Sequence, residues 1–199
     1  MMVTVSAFGK PVLAASLFDI SGAAWRATAD SEVTLLDGGT SAWSDRPVRR
    51  DGLHATLHVD LAAWLALDFD AAAIRARHAD GSGEAIAGAV RRYGQAGATV
   101  RPARGWNASL FVTSFDARPS TDDDAMRVRS SSFVSGRITR HFGKSTRVSL
   151  DLFNLFDKRT GNIDHFSATR LWSYPGAADN FLFYPGESRG LRLRLRTTF

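Results

Sequence analysis

The 199-residue chain contains no cysteine, which excludes disulfide frameworks, thiolate metal sites and cysteine nucleophiles. It also lacks any long apolar run. The longest stretch free of Asp, Glu, Lys and Arg is 11 residues, Gly105 to Phe115, whereas a spanning helix needs about 20. A transmembrane β-strand needs only about 9 to 11 alternating residues, so a membrane barrel passes this test. Met1 to Lys10 carries no early positive charge, and the apolar piece Val12 to Phe18 ends at Asp19. That piece reads as a strand and not as a secretory signal, and an exported form is expected to begin elsewhere. Catalytic signatures are missing too. No GxSxG element occurs, and no carboxylate pair is placed by local spacing for acid–base work. The five histidines, at 54, 58, 78, 141 and 165, have no metalloprotease arrangement. Gly81, Gly83 and Gly88 miss the GxGxxG spacing, which removes nucleotide binding. The Asn107–Ser109 sequon sits inside an expected strand and reads as chance. Neither an enzyme nor a cofactor is expected.

What is present is ordered composition and alternation. Hydrophobic residues make up 44% and charged residues 23%, which excludes a disordered or collagen-like chain. The net charge is +5, but the arginines alternate along strands without interleaved aromatics, so no nucleic-acid partner is expected. Period-two patterning dominates. Leu191, Leu193 and Leu195 alternate with Arg192, Arg194 and Arg196, and Val148, Leu150 and Leu152 alternate with Arg147, Ser149 and Asp151. Leu53 to Leu61 and Val134 to Phe142 follow the same rule. Leu61 to His78 is rich in Ala and Leu, yet Leu65, Leu67, Phe69 and Ala71 alternate with Ala66, Asp68 and Asp70, which predicts a strand with a bulge near Ala73 and Ile74.

Breaks between these segments fall into two classes. Short ones are expected at Thr28–Asp30, Leu61–Ala63, Pro102–Gly105 and Gly143–Ser145. Longer polar ones are expected at Asp37–Arg49, His78–Ala85, Ala117–Met126 and Lys158–Gly186. Short and long alternate, as in outer-membrane barrels with short periplasmic turns and long external loops. Trp64, Trp106, Phe142 and Phe199 lie near the short side, where an aromatic girdle belongs. An Arg on the lipid face costs about 2 to 4 kcal/mol at the bilayer midplane, so the final strand is expected to turn its leucines to lipid.

Val148–Asp157, VSLDLFNLFD, resembles the penultimate-strand motif of TonB-dependent outer-membrane receptors, and Gly186–Phe199, GESRGLRLRLRTTF, resembles their last strand with its terminal phenylalanine. NIDHF at Asn162–Phe166 and the stretch from Thr169 to Arg189 resemble the long final external loop of one branch. Weaker similarity runs from Arg49–Asp70 back to about Leu17. Arg194 and Thr197 depart from the small or apolar residues common in the barrel-end signal. The family implies a barrel of about 22 strands with a plugged lumen. The expected fold is therefore all-β: an antiparallel transmembrane β-barrel segment of about nine strands, the C-terminal portion of such a barrel with the plug domain absent. Strands are expected at residues 12–23, 31–36, 50–60, 64–77, 87–101, 106–116, 128–142, 146–156 and 188–199.

The resemblance implies uptake of a scarce solute such as an iron chelate, in the cell outer membrane, by a chain that is not active alone. Implied partners are outer-membrane lipid, the barrel-assembly machinery, the remainder of the barrel and its plug, and TonB only through the missing N-terminal part. Leu191, Leu193, Leu195 and Phe199 are the expected assembly signal. His165, Trp172 and Tyr174 are the candidate ligand-contact residues of the final loop. His54, His58 and Asp60 read as polar lumen lining, since strand residues four apart are separated by roughly 13 Å, too far for shared metal ligation. Asp122, Asp123 and Asp124 read as a solvated external loop. Two other architectures fit the same patterning: a self-contained eight-stranded outer-membrane barrel with a structural or adhesive role, and a soluble β-barrel or sandwich binding module.

Overall fold

A computed structural model describes residues 3–8, 12–15, 17–35, 41–102, 105–159, 161–169, 176 and 178–198. The described strands are, in order, β1 (Val3–Phe8), β2 (Val12–Ala15), β3 (Phe18–Ala29), β4 (Glu32–Leu35), β5 (Ser41–Ser44), β6 (Val48–Ala62), β7 (Leu65–His78) and β8 (Arg92–Val100). They continue as β9 (Trp106–Phe115), β10 (Arg118–Pro119), β11 (Arg127–Val128), β12 (Ser131–Phe142), β13 (Thr146–Phe153), β14 (Gly161–Thr169), β15 (Ala178–Pro185) and β16 (Gly190–Thr197). No helix occurs among the described residues.

Ten strands form one antiparallel sheet in the order β1-β3-β6-β7-β8-β9-β12-β13-β16, with β2 also on β3. Because β1 and β2 pair with successive halves of β3, the ten strands make nine rows. Three two-stranded ribbons, β4-β5, β10-β11 and β14-β15, lie in the long connections. Turns at Leu17, at 63–64, near Gly105 and at 143–145 all fall on one edge of the sheet, and connections 30–47, 79–91, 116–130 and 154–189 fall on the other. Gly105 and Gly143 take positive φ (75° and 65°) at two of the tight turns, a conformation that needs no Cβ. Backbone bonds from Arg101 N to Trp64 O (2.7 Å), His141 N to Gly105 O (2.8 Å) and Thr198 N to Ser145 O (3.0 Å) extend the ladders into this edge.

Four expectations need correction. Residues 12–23 are not one strand, because the chain reverses at Leu17 between β2 and β3. The sequence at the turn contains neither Gly nor Pro, so nothing in it marks the reversal. Residues 31–36 do not join the main sheet; Glu32–Leu35 pairs with Ser41–Ser44 inside a long connection. Thr28–Asp30 is accordingly the end of β3 and the entry to that connection, not a short turn. The β7 register is continuous through Ala73 and Ile74, and the irregularity lies in β6 between Asp60 and Ala62.

Burial is inverted relative to a water-soluble sheet. Leu191, Leu193 and Leu195 are 71, 72 and 70% exposed, while Thr139 and Ser149 on the opposite face are 7 and 9% exposed. The pairing carries this across the sheet: Phe18, Val59, Leu67, Ala98, Leu110, Gly136, Leu152 and Leu191 form one unbroken apolar row. One step away, Thr99, Ser109, Arg137, Asp151 and Arg192 form a polar row. Buried hydrophobic residues among those described are confined to Val48, Ala66, Ala85 and Ile86, so no second apolar layer covers the leucine face. A sandwich would bury that face. Trp64, Trp106 and Phe142 stand exposed at the short-turn edge, and Arg140 lies over the Trp106 and Phe142 rings at 5.0 and 5.6 Å, a cation–π arrangement suited to an interface.

Glycines on the polar face make room for large rings. A Cβ at Gly52 would overlap the Trp25 ring, and one at Gly97 would meet Phe111. Leu193→Arg is expected to block membrane assembly, since a lipid-facing Arg costs about 2 to 4 kcal/mol near the midplane. The amount of protease-protected chain in the outer-membrane fraction checks this, and normal insertion would contradict the lipid-facing assignment.

Candidate functional site

The polar face is not uniform. On β3, β6 and β7 it carries carboxylates and histidines: His58 Nδ1 lies 2.6 Å from Asp68 and its Nε2 3.4 Å from Asp60, while His54 Nε2 lies 3.1 Å from Asp70. Ser21 and Thr56 hydroxyls bond across strands at 2.6 Å. Asp19, Ser21, His58, Asp68, Asp70 and Gln95 help line a hollow of about 510 Å³ on this face. His54 is held by a carboxylate of β7, and His58 by one of β7 and one of its own strand β6; no cluster of three or more potential ligands disposed to hold a metal ion occurs among the described residues. His54, His58 and Asp60 all lie on the polar face.

On β12, β13 and β16 the same face is basic. Asp151, nearly buried, accepts from Arg137 Nε at 2.5 Å on one oxygen and from Arg194 on the other. Arg192 instead lies 4.8 Å above the Phe153 ring. Near the long-connection edge of this face Tyr93 packs tilted against Phe115, with centroids 5.3 Å apart, and Phe115 stacks on Phe133 at 6.4 Å.

Three long connections are tied together by one arginine. Arg46, which precedes β6, reaches Asp80 at 2.7 Å, Glu84 at 2.7 Å and Asp122 at 3.2 Å, and also the Ser82 hydroxyl. Asp122 further accepts from Ala87 N at 3.0 Å and contacts His78 Nε2 at 3.2 Å. His78 is buried, and its Nδ1 has no partner. Val48, Ala85 and Ile86, in or beside the same connections, are buried. A second junction joins Arg91 and Arg127 to Asp124. Hydrogen bonds from Ser82 and from Arg46 hold the Asp80 carboxyl well below the usual carboxylate range. Arg127 and then Arg91 lower Asp124 in the same way, and Asp80 and Glu84 raise Arg46. The 122–124 run is therefore not simply solvated: two of its three carboxylates are junctions between connections.

At the other end of the β13–β16 connection, Asn154 and Asp157 take positive φ (42° and 51°). Asn154 is buried; its Nδ2 donates to Lys158 O (2.8 Å) and Glu187 O (2.9 Å), and its Oδ1 accepts from Lys158 N (3.0 Å). Asp157 Oδ1 accepts from Arg189 N at 3.1 Å. The NLFD segment thus latches the exit of β13 to the approach of β16.

Of the expected site residues, His165 lies on β14 opposite Leu182 of β15, in a ribbon of its own. Trp172, Tyr174 and Phe199 lie outside the described residues. Leu191, Leu193 and Leu195 form the exposed apolar side of β16. Sequence reasoning missed Arg46, His78 and the structural use of Asp122, Asp124 and Asn154. The only available signal was the Asp-x-Ser pattern at Asp80–Ser82, an Asx turn in which Ser82 N donates to Asp80 Oδ1 at 3.0 Å.

No protein-family model matches the chain, and no curated protein matches it. Solved structures do match. The copper transporter OprC superimposes with a TM-score of 0.73 at 14% identity, over 94% of this chain and 30% of that one. The ferric-catecholate import receptor Fiu from Escherichia coli K12 gives 0.68 at 14% identity, over 99% and 27%. The siderophore receptor PiuA from Acinetobacter baumannii gives 0.67 at 13% identity, over 98% and 28%. These are TonB-dependent receptors, and the fold of this chain is that of a portion of their barrel. The chain spans less than a third of the length of these receptors.

Arg46→Gln is expected to raise amide exchange several-fold in residues 79–91 and 116–130 while leaving β8 and β9 protected. In the native chain the Asp80 junction has a sign fixed by its lowered pKa. Its contribution is complete above the unfolded carboxyl value of about 3.9 and is lost only as pH falls through the lower folded value. Exchange in 79–91 should therefore stay flat from neutral pH down to about 4, after correction for intrinsic rates, and rise below it. A rise already near pH 6 would contradict this account of the junction.

Proposed function

We propose that this chain forms the C-terminal part of the barrel of a TonB-dependent receptor in the cell outer membrane. The whole receptor takes up a scarce solute such as an iron chelate, and this portion alone does not transport. The observation that carries the reading is the exposed apolar belt on a sheet whose connections alternate short and long. Such a sheet needs lipid on one face, and closed pairing at its edges.

Row parity supports a portion over a complete barrel. Rows one and nine run in the same direction, so joining β1 to β16 would create a parallel seam in an antiparallel sheet. Closing β3 onto β16 would give an eight-stranded barrel, but β1 and β2 occupy that edge of β3. An odd number of further strands completes an even, wholly antiparallel barrel. The partners that follow are lipid around the leucine face, the remaining barrel strands at both edges, and a plug against the polar face. The barrel-assembly machinery would read Leu191, Leu193, Leu195 and Phe199, and TonB would act through other parts of the receptor. His165, Trp172 and Tyr174 are assigned to ligand contact in the final external connection.

An antibody against residues 158–186 tests this on the outer-membrane fraction of the source cells. The expected band is several times heavier than 21.7 kDa. A band near 21.7 kDa in that fraction would overturn the reading in favour of a self-sufficient small barrel.

A further inference from the structure

We infer that the leucine face carries, at its long-connection edge, a seat for a phosphorylated lipid of the outer leaflet. Arg75, Arg77 and Arg92 take the phosphate, and the small residues beside them lie under the acyl chains. The inference rests on the barrel reading, which puts lipid against this face and the long connections outside the cell.

The register fixes every outward row of β3, β6, β7 and β8. From the short-turn edge the rows read Phe18-Val59-Leu67-Ala98, Ile20-Leu57-Phe69-Ala96, Gly22-Ala55-Ala71-Gly94 and Ala24-Leu53-Ala73-Arg92. The next two are Arg26-Asp51-Arg75 and Thr28-Arg49-Arg77. Bulky apolar side chains thus give way to small ones and then abruptly to exposed arginines. Leu53 and Ala73, with Arg26, Arg75, Arg77 and Arg92, help line a hollow of about 670 Å³.

The sheet does not balance these charges. Asp51 stands directly opposite Arg75, yet its Oδ1 accepts from Arg26 Nε at 2.5 Å and its Oδ2 from Arg49 Nε at 2.9 Å. Among the described residues no hydrogen bond or ion pair holds Arg75. Arg77 stands opposite Arg49, a like-charge pair that is destabilising when nothing bridges it, and it donates only to the neutral Gly83 O. Arg92 reaches Asp116 at 3.8 Å, beyond hydrogen-bond distance. Arg75 and Arg92 are diagonal neighbours across β7 and β8, about 7 to 8 Å apart at the backbone. One phosphate can bridge such a pair, taking a guanidinium fork on either side.

Height makes the occupant a lipid and not a soluble anion. Ten steps along β7 separate Leu65, beside the girdle residue Trp64, from Arg75. At roughly 3.3 Å per step and a tilt of about 40° the rise is about 25 Å, the height of a barrel's apolar band. The arginines therefore meet the headgroup level opposite the Trp64 and Trp106 girdle, where an outward arginine is tolerated. An anion held there has hydrocarbon directly beside it, over Ala73, Ala71 and Gly94, and a Cβ at Gly94 would meet nothing within 4 Å. The patch is also local. At the same edge β9 and β12 turn Ser114 and Ser132 outward, bonded to each other at 2.8 Å, and β13 and β16 turn out Leu152 and Leu191.

The whole receptor is extracted from outer membranes of the source cells in mild detergent, and native mass spectrometry reads the lipid that stays bound. The native protein should retain a phosphate-bearing lipid. Arg75→Gln with Arg92→Gln should lower the retained fraction at least about tenfold, as expected for the loss of a charge-assisted contact. Arg147→Gln with Arg196→Gln, an equal loss of charge on the polar face, should leave it unchanged. A second arm needs no variant: delipidated native receptor is titrated with dioleoyl phosphatidic acid, with dioleoylglycerol and with inorganic phosphate. The first should bind at least about tenfold more tightly than the second, which lacks phosphate, or the third, which lacks chains. Equal retention by both double variants, or inorganic phosphate binding as tightly as the lipid, would overturn the seat. Absence of the chain from the outer-membrane extract would instead overturn the barrel reading, so the two failures are distinguishable.

Discussion

The structure depends on one constraint: each strand from β3 to β13 in the main sheet satisfies its backbone through neighbours on both sides while turning an apolar side outward. In hydrocarbon an unpaired N–H or C=O costs several kcal/mol, so only closed hydrogen bonding is tolerated. The cross-strand register keeps β3 through β16 aligned, and with them the apolar row from Phe18 to Leu191. Because the side-chain period is two, a one-residue slip anywhere would exchange the two faces. The alternation of leucine with arginine on β16 makes that slip especially costly, with three charges moving outward together.

Given that sheet, the polar side chains are free to organise the interior and the cap. Polar partners meet across strands where the register brings them together, as at the His58–Asp68 contact and at Asp151 with its two arginines. Where the register instead opposes Arg147 to Arg196, the sheet itself has no counter-charge to give. At the long-connection edge Arg46 and Asp122 gather three connections. Asn154 does comparable work for the last connection through backbone carbonyls alone. The framework is therefore rigid at both edges by different means, tight turns on one and side-chain junctions on the other.

Much of this was legible in the sequence, for a physical reason. Long strands with one lipid-facing side leave a period-two trace, and Leu53 to His78, Val134 to Phe142 and Leu191 to Arg196 carry it plainly. The reversal at Leu17 was not legible, since Ala-Ala-Ser-Leu-Phe contains no Gly, Pro, Asn or Asp and a lone Ser is a weak turn signal. Residues 31–36 read as a sheet strand, whereas β4 pairs only with β5, because a short alternating segment does not reveal its partner. The Arg46 junction was invisible for another reason: its ligands lie 34, 38 and 76 residues away, and long-range ion pairs have no local signature. The Asp122–Asp124 run was seen but misjudged, because acidic runs look alike whether hydrated or bridged.

The central claim is that alternate residues along each strand meet lipid and a water-filled or polypeptide-filled interior. The absence of native cysteine makes this directly measurable on the central strand β9. Single substitutions Asn107→Cys, Ala108→Cys, Ser109→Cys, Leu110→Cys, Phe111→Cys and Val112→Cys would each be labelled in outer membranes with a small fluorophore. Quenching by lipid-borne nitroxide would then be read position by position. The account predicts strong quenching at 108, 110 and 112 and weak quenching at 107, 109 and 111. Quenching without period two, or with the opposite phase, would contradict it.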